Sequence, residues 1–172
     1  MTAPPALGNA RPASPDLLRS VFRRHAAGVA VITARGASGP VGFTATSLAS
    51  VSADPPMLSF GIGTASSSWP VIATGDHVGV HVLAEDQQDL AVTFARPGAD
   101  RFGPGTAWWD GPEGVPLLHG VLAWTVCEVV ARVPAGDHRI VIGEVLLGDP
   151  GDPARPGRPL LYHHGRYHGL RD

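Results

Sequence analysis

Glycine and proline divide this sequence of 172 residues into short segments, and the shortness of these segments restricts its fold more than any other feature. The chain contains 22 glycines and 17 prolines. Between them lie about six to eight segments with the apolar alternation of β-strands and roughly two or three short segments with helical periodicity. Because strands and helices do not alternate strictly, we expect a mainly β fold, an antiparallel barrel with short flanking helices, rather than a doubly wound parallel sheet.

One predicted helix and one predicted hairpin have the clearest boundary signals. Ser14 is a good helix N-cap, Pro15 suits the first helical position, and Gly28 can end the helix in a left-handed conformation. Residues 121–133 and 138–147 are the longest strand candidates, and a short Gly-containing turn joins them into a predicted hairpin.

The rest of the chain is predicted to form a tail and one domain. Residues 1–13 are rich in proline and alanine and lack periodicity, which predicts a disordered N-terminal tail. Residues 14–172 are predicted to form a single domain, because a chain of this length buries one core without disulfides or a structural metal. Residues 96–116 are predicted to be a long loop, a kind of segment that is often functional.

Charge and composition exclude several functions. All 13 basic residues are arginine, so chemistry that needs a P-loop or Schiff-base lysine is excluded. With 15 acidic residues, a net charge of −2 and no arginine-rich stripe, nucleic acid is not an expected partner. No apolar segment approaches the roughly 20 residues that span a bilayer, so no membrane partner is expected either. The single cysteine and the lack of an apolar signal segment at the N-terminus predict a cytoplasmic protein.

Side chains that could act as nucleophiles or metal ligands are few. Cys127 lies in a predicted strand with no cation nearby in sequence, and we interpret it as a buried packing residue, with a reactive thiol as the alternative. His164 and His168 have a metal-ligand spacing to which His163 could add a third ligand. The glycines beside them disfavour the helix that this spacing requires, so no metal site is predicted.

Two hydroxyl-rich segments are the strongest functional signal. Residues 44–52 follow a predicted strand, and their small side chains let the backbone approach a flat ligand while hydroxyls offer neutral hydrogen bonds. Residues 64–68 precede a predicted short helix whose first N–H groups could hold an anion. Together the two segments predict a cradle for a flat, phosphorylated cofactor. Taken alone, each is also consistent with an ordinary Ser/Thr turn or helix cap.

Several short motifs occur in a distinctive order. They are Gly-Phe-Thr-Ala-Thr-Ser-Leu-Ala-Ser-Val-Ser-Ala-Asp-Pro-Pro at 42–56, Ser-Ser-Ser at 66–68, Val-His-Val-Leu at 80–83, Phe-Ala at 94–95, Asp-Arg-Phe at 100–102 and Gly-Asp-His at 136–138. Their joint order and spacing, from about residue 16 to residue 170, resemble those of the flavin reductase-like family of short-chain NAD(P)H:flavin oxidoreductases.

This resemblance implies a fold and an activity. The implied fold is the FMN-binding split barrel, an antiparallel split β-barrel with short flanking helices, usually found as a homodimer. The implied activity is reduction of FMN or FAD by NADH or NADPH, which supplies reduced flavin to a separate flavin-dependent monooxygenase. Two alternatives stay open: an oxidoreductase that holds its flavin tightly and acts on its own organic substrate, and a non-catalytic flavin-binding protein.

The resemblance also implies site residues. Flavin contacts are implied for Thr44, Ala45, Thr46, Ser47, Ser52, Ser59, Phe60, Gly61, Ser66, Ser67, Ser68, Phe94 and Ala95. In similar proteins, positions matching 44–47 contact the isoalloxazine and ribityl groups, and positions matching 66–68 hold the phosphate.

On the pyridine-nucleotide side the resemblance implies Asp137, His138 and Tyr167. His138 is the catalytic candidate, which would bind the nucleotide or place a positive charge near the reduced flavin. As alternatives, His138 could be an ordinary turn residue and Tyr167 a strand aromatic that fills the end of the barrel.

The chain departs from the family pattern at two points. His81 stands where many relatives have asparagine, and we interpret it as a packing residue on a strand. The segment at 66–68 has only hydroxyls where many relatives have a nearby lysine or arginine, which predicts loosely held flavin.

Overall fold

The computed structural model describes residues 10–154 and 157–170. Most of the predicted N-terminal tail, residues 1–9, lies outside the described residues. The helices are α1 (Pro15–Phe22), α2 (Trp69–Ile72) and α3 (Gln88–Ala95). The strands are β1 (Ala27–Gly28), β2 (Ala30–Gly36), β3 (Gly39–Ala45), β4 (Ala49–Ala53), β5 (Pro56–Gly63), β6 (His77–Val82), β7 (Trp108–Asp110), β8 (Pro116–Leu118), β9 (Ala123–Ala135), β10 (His138–Asp149), β11 (Leu161–His163) and β12 (Arg166–His168).

The fold is mainly β and its strand pairs are antiparallel, as predicted. A 7-stranded sheet has the order β3-β2-β6-β9-β10-β5-β4, a 3-stranded sheet has the order β1-β11-β12, and β7 pairs with β8. The long predicted hairpin is confirmed as β9 and β10, whose closing residues Ala135 and His138 lie opposite each other.

The large sheet is strongly curved, so that residues from its two ends meet. Phe43 on β3 and Phe60 on β5 are five strand positions apart in the sheet, which would separate them by about 24 Å if the sheet were flat. Their ring centroids are only 6.1 Å apart. Beyond β3, the Ser47 hydroxyl accepts a 2.8 Å hydrogen bond from the Gly61 amide on β5. The main core lies inside this curve.

Helix α3 covers β3 from outside the main core and belongs to a second apolar cluster. Its Phe94 is fully buried and its ring packs edge-on against Phe102 at 5.3 Å. The Thr44 hydroxyl on β3 donates a 2.6 Å hydrogen bond to the Ala91 carbonyl of α3. Gly42 permits this close packing, because a Cβ there would lie 2.8 Å from the Phe94 ring. The contact between α3 and β3 shapes the clefts described below.

Two predictions from sequence are wrong. The first helix begins as predicted, with Ser14 accepting a 3.1 Å hydrogen bond from the Leu17 amide, but it ends at Phe22 and not at Gly28. The amides of Arg24 and His25 donate to the carbonyls three residues before them, at 3.0 and 3.1 Å, which closes the last turn, and Gly28 lies in β1 and pairs with Leu161. Residues 96–116 do not form one long loop, since β7 and the start of β8 lie within or beside this range. In the described part of the chain, no helix is both long and apolar enough to cross a membrane.

Candidate functional site

A cleft beside α3 brings together residues from both hydroxyl-rich segments. We call it the hydroxyl cleft; its volume is about 410 Å³. It is lined by Phe43, Thr44, Ala65, Ser66, Ser67, Phe94, Ala95, Pro97, Gly98 and Arg101. The predicted residues Thr44, Ser66, Ser67, Phe94 and Ala95 therefore meet in one place, although they come from β3, from the turn before α2 and from the end of α3.

Arg101 supplies a cation to this cleft that the sequence analysis missed. Its guanidinium Nη1 donates a 3.2 Å hydrogen bond to the Ser67 hydroxyl, and Nη2 donates a 3.0 Å hydrogen bond to the Arg96 carbonyl. Its Nε is buried, and no hydrogen-bond partner for it is found among the described residues. Burial lowers the pKa of Arg101, but arginine stays protonated in proteins. The expectation that only hydroxyls surround this position was wrong.

The residues 66–68 have different roles in this geometry. Ser68 is fully buried and its hydroxyl donates a 3.0 Å hydrogen bond to the Gly42 carbonyl, so it anchors the turn to β3. The Ser66 hydroxyl accepts a 3.3 Å hydrogen bond from the Ser68 amide. The helix that follows, α2, is a single turn, so its dipole is small. The positive charge at this end of the cleft therefore comes mainly from Arg101.

A larger cleft lies further along β3, where that strand ends. We call it the Tyr162 cleft; its volume is about 630 Å³. It is lined by Arg19, Phe22, Arg23, His25, Ala27, Thr46, Ser47, Leu48, Ala49, Tyr162, His163, His164 and Gly165. The predicted residues Thr46 and Ser47 are exposed here, and Ser47 is fixed by its hydrogen bond from the Gly61 amide. The two clefts thus follow one another along the end of β3.

Other predicted flavin residues lie on the strands behind these clefts. Ala45 and Phe60 are buried in the main core, so their side chains face packed apolar neighbours. Ser59 pairs with Ala49 near the middle of β5. Ser52 pairs with Met57, which lies about 23 Å from Thr64 at the rise of a strand, at the other end of β5. The structure therefore does not bring Ser52 to the hydroxyl cleft.

Asp137 and His138 lie beside the second hydroxyl segment. His138 Nδ1 is 2.8 Å from the Asp137 carboxylate, and the hydrogen bond and charge of His138 lower the pKa of Asp137. The Asp137 carbonyl accepts hydrogen bonds from the Thr64 amide and hydroxyl, at 2.9 and 3.1 Å. His138 also pairs with Gly63, where a Cβ would lie 3.7 Å from the imidazole. His138 is 56% exposed, so its ring is accessible to a ligand.

The last predicted site residue, Tyr167, belongs to the small sheet. Its ring lies 5.2 Å from that of Tyr162, which lines the Tyr162 cleft, and its inner side packs on the second apolar cluster. Burial and the neighbouring Tyr162 raise the pKa of Tyr167.

The residues considered as metal ligands or nucleophiles pack against other side chains of the protein. His163 and His164 stack edge-on at 4.4 Å, and within residues 10–154 and 157–170 no group of three potential ligands could hold a metal ion. Cys127 is fully buried, and burial raises the pKa of its thiol. The interpretation of Cys127 as a packing residue is confirmed.

The fold is antiparallel β, and its hydroxyl cleft combines Ser and Thr side chains with the Arg101 guanidinium. The family described as "Flavin reductase like domain" matches residues 22–171, and the chain belongs to this family.

Relatives and solved structures agree with this assignment. The chain is 43% identical to an NADH:FMN oxidoreductase of Rhodococcus qingshengii over 151 residues, which cover 87% of this chain and 79% of the relative. A flavin reductase domain protein from Arthrobacter sp. FB24 superposes with a TM-score of 0.85 at 43% identity, covering 92% of this chain and 97% of that chain. The styrene monooxygenase flavin reductase from Pseudomonas putida S12 superposes with a TM-score of 0.79 at 31% identity, covering 89% of this chain and 96% of that chain.

Proposed function

We propose that this chain is a flavin reductase that uses NADH or NADPH to reduce FMN or FAD and supplies the reduced flavin to a separate flavin-dependent monooxygenase. The observation that carries the proposal is the hydroxyl cleft, where Thr44, Ser66 and Ser67 meet the Arg101 guanidinium. The relative's name, NADH:FMN oxidoreductase, favours NADH as the donor. A styrene monooxygenase reductase among the similar structures supports a monooxygenase partner.

The residues of the hydroxyl cleft fit a flavin phosphate. Ser66, Ser67 and Arg101 would hold the phosphate, because hydroxyls and a guanidinium donate hydrogen bonds to its oxygens. The buried Nε of Arg101 has no hydrogen-bond partner among the described residues, so the protein does not use all the donors of this guanidinium. The short turn before α2 is anchored by Ser68, so these donors are already positioned before the ligand arrives.

The end of β3 fits the rest of the flavin. Thr46 and Ser47 follow Thr44 by two to three residues, about 7–10 Å at the rise of a strand, which suits the span of a ribityl chain. Ser47 is held by the Gly61 amide, so the backbone there can lie flat against the isoalloxazine without a bulky side chain between them. The Tyr162 cleft would then hold the ring system.

The protein's part in the reaction is binding and orientation. When bound, the two cofactors supply the redox chemistry, in which hydride leaves C4 of the nicotinamide and is accepted at N5 of the flavin. No protein nucleophile is needed, which agrees with the buried, inert setting of Cys127. His138, oriented by Asp137, would bind the pyridine nucleotide. Tyr167 would act on the pyridine-nucleotide side by packing against the ring of Tyr162.

Riboflavin, which lacks the phosphate, provides a sharp test of the phosphate site. We expect Arg101→Gln to raise the Kd for FMN by about 10- to 100-fold, because a charge-assisted hydrogen bond is lost, while the Kd for riboflavin stays within about twofold. Arg166→Gln, which changes an exposed arginine on β12, is the matched control. Equal losses of FMN and riboflavin affinity would refute the phosphate assignment, and a protein that oxidises neither NADH nor NADPH with either flavin would refute the function.

His138 is tested by steady-state kinetics. We expect His138→Ala to raise the KM for the pyridine nucleotide more than the KM for flavin, because the exposed imidazole is proposed to contact the nucleotide alone. An unchanged nucleotide KM and rate would remove His138 from the site.

We also propose that the curved sheet is the split barrel and that the chain forms a homodimer. The Phe43–Phe60 contact and the Ser47–Gly61 hydrogen bond support closure of the sheet. Val133 and Ile140 are 45% and 42% exposed and lie directly opposite each other on β9 and β10, an apolar pair that a second copy would cover. Val133→Glu should convert the dimer to a monomer in light scattering; a wild-type monomer at micromolar concentration would refute the dimer.

A further inference from the structure

A third cleft adjoins the hydroxyl cleft on the side away from the proposed flavin ring. We call it the Trp108 cleft; its volume is about 460 Å³. It is lined by Pro40, Val41, Ser67, Ala99, Asp100, Arg101, Phe102 and Trp108. Ser67 and Arg101 line both this cleft and the hydroxyl cleft, so the two spaces meet at the guanidinium.

The three clefts follow the course of β3 in a definite order. Pro40 and Val41 line the Trp108 cleft, Thr44 lines the hydroxyl cleft, and Thr46 lines the Tyr162 cleft. At the rise of a strand, Pro40 and Thr46 are about 20 Å apart. A ligand that filled all three clefts would therefore be long and extended, with its anionic part in the middle, beside Arg101.

The Trp108 cleft has one flat apolar wall that is rigidly held. The Trp108 indole N–H donates a 3.1 Å hydrogen bond to the Phe102 carbonyl, and the two rings pack edge-on at 5.4 Å. The Arg35 guanidinium lies over one face of the Trp108 ring, 5.5 Å from its centroid, so a base would stack on the opposite face. A ring positioned in this way is suited to stacking against a planar base, since little side-chain freedom is lost on binding.

The polar end of the Trp108 cleft carries two opposite charges. Arg101 attracts a phosphate, whereas the exposed Asp100 carboxylate is an acceptor for hydroxyl groups and repels a further phosphate. In Rossmann dinucleotide-binding folds, an acidic residue accepts a hydrogen bond from a ribose hydroxyl, and the Asp100 carboxylate offers the same chemistry here. A base, a ribose and a phosphate shared with the hydroxyl cleft thus match the chemistry of this cleft.

We propose that the Trp108 cleft binds the AMP half of FAD, so that the chain takes FAD in an extended conformation and binds it more tightly than FMN. The adenine stacks in the cleft against Trp108, the ribose hydroxyls donate to Asp100, and the pyrophosphate lies beside Arg101. This inference rests on the proposed function, because it places the isoalloxazine and the first phosphate as described above.

The test compares the Kd values of riboflavin, FMN and FAD, measured by equilibrium dialysis without pyridine nucleotide. We expect FAD to bind about tenfold more tightly than FMN, as stacking of one base provides. Trp108→Leu should bring the Kd for FAD to that for FMN, and Trp108→Phe should keep most of the difference. AMP should compete with FAD and not with FMN.

A second variant guards against misfolding of the Trp108 variants. Asp100 is exposed, so Asp100→Asn should fold normally and weaken FAD binding several-fold without weakening FMN binding; Asp86→Asn, at another exposed carboxylate, is the control. The inference, but not the proposed function, would be overturned if FAD bound no more tightly than FMN. It would also be overturned if FAD bound more tightly but its Kd did not change in the Trp108 and Asp100 variants. A Trp108→Leu variant with a raised KM for NADH and an unchanged Kd for FAD would also overturn it, by assigning the cleft to the pyridine nucleotide. Failure of all three flavins to bind would instead overturn the proposed function, and this inference with it.

Discussion

The buried imidazole of His81 should make the stability of the fold depend on pH. His81 lies on β6 and is fully buried. Its Nδ1 lies 3.0 Å from the Val31 carbonyl, and its Nε2 accepts a 3.2 Å hydrogen bond from the Leu118 amide. Because the Leu118 amide occupies Nε2, the proton of the neutral ring must be on Nδ1. A second proton would require breaking the Leu118 hydrogen bond inside an apolar core.

This arrangement sets the sign and the size of the effect. Burial, partly opposed by the Val31 hydrogen bond, lowers the pKa of His81 from 6.5 to about 4. The unfolded chain therefore binds this proton more readily, and the free energy of unfolding falls as the pH drops from about 6.5 towards 4. The contribution of His81 is negligible at pH 7.5, about 2 kcal/mol of lost stability at pH 5, and about 3 kcal/mol at its limit below pH 4.

A variant without a titrating group isolates this contribution. His81→Asn keeps a donor for the Val31 carbonyl but cannot be protonated, and it should be less stable than wild type at pH 7.5 because it loses the Leu118 hydrogen bond. Urea unfolding at pH 7.5 and pH 5 gives the loss of stability for each protein. Wild type should lose about 2 kcal/mol more than the variant over this interval. Equal losses would show that His81 is not a neutral, buried group in the folded protein.

Three further substitutions or reactions test the packing around the clefts. Gly42→Ala should destabilise the fold by about 1–3 kcal/mol, since its Cβ would lie 2.8 Å from the Phe94 ring, whereas Gly28→Ala meets no atom within 4 Å and should change the melting temperature little. Cys127 is fully buried with a raised thiol pKa, so a thiol reagent should modify it only at the rate of unfolding, and rapid stoichiometric labelling of native protein would contradict this. Arg132 donates hydrogen bonds to the carbonyls of Ile72, at the end of α2, and Gly75, just after it. Arg132→Met should therefore lower the free energy of unfolding by about 1–3 kcal/mol in urea titrations, and an unchanged free energy of unfolding would contradict these bonds.

The sequence was most informative where function depends on local backbone chemistry. The hydroxyl-rich segments around Thr44 and Ser67 are recognisable in the sequence because each one, taken alone, contains a run of small polar residues. That the two segments meet in one cleft depends on tertiary structure, because it requires α3 to pack against β3 through Gly42 and Phe94. The resemblance of the motif order could suggest this convergence, but the spacing of the residues could not.

Arg101 was missed because its role depends on a contact across 34 residues of sequence. The signal is present in the sequence, since Asp-Arg-Phe at 100–102 is one of the motifs that carry the family resemblance, but Arg101 is far in sequence from the serines that it contacts. Nothing in local periodicity connects a residue after α3 with a turn before α2.

The Trp108 region shows a different limit of sequence reasoning. Residues 96–116 contain many glycines and prolines, which correctly predict turns but conceal a short pairing such as that of Trp108 with Leu118. A strand of three residues has too few alternating positions for its period to be recognised. It is the tertiary contacts of Trp108, with Phe102 and Arg35, that hold its ring at the cleft. A segment whose structure comes from such distant contacts is therefore where sequence analysis is weakest, and here it is also where the choice between FMN and FAD is proposed to be made.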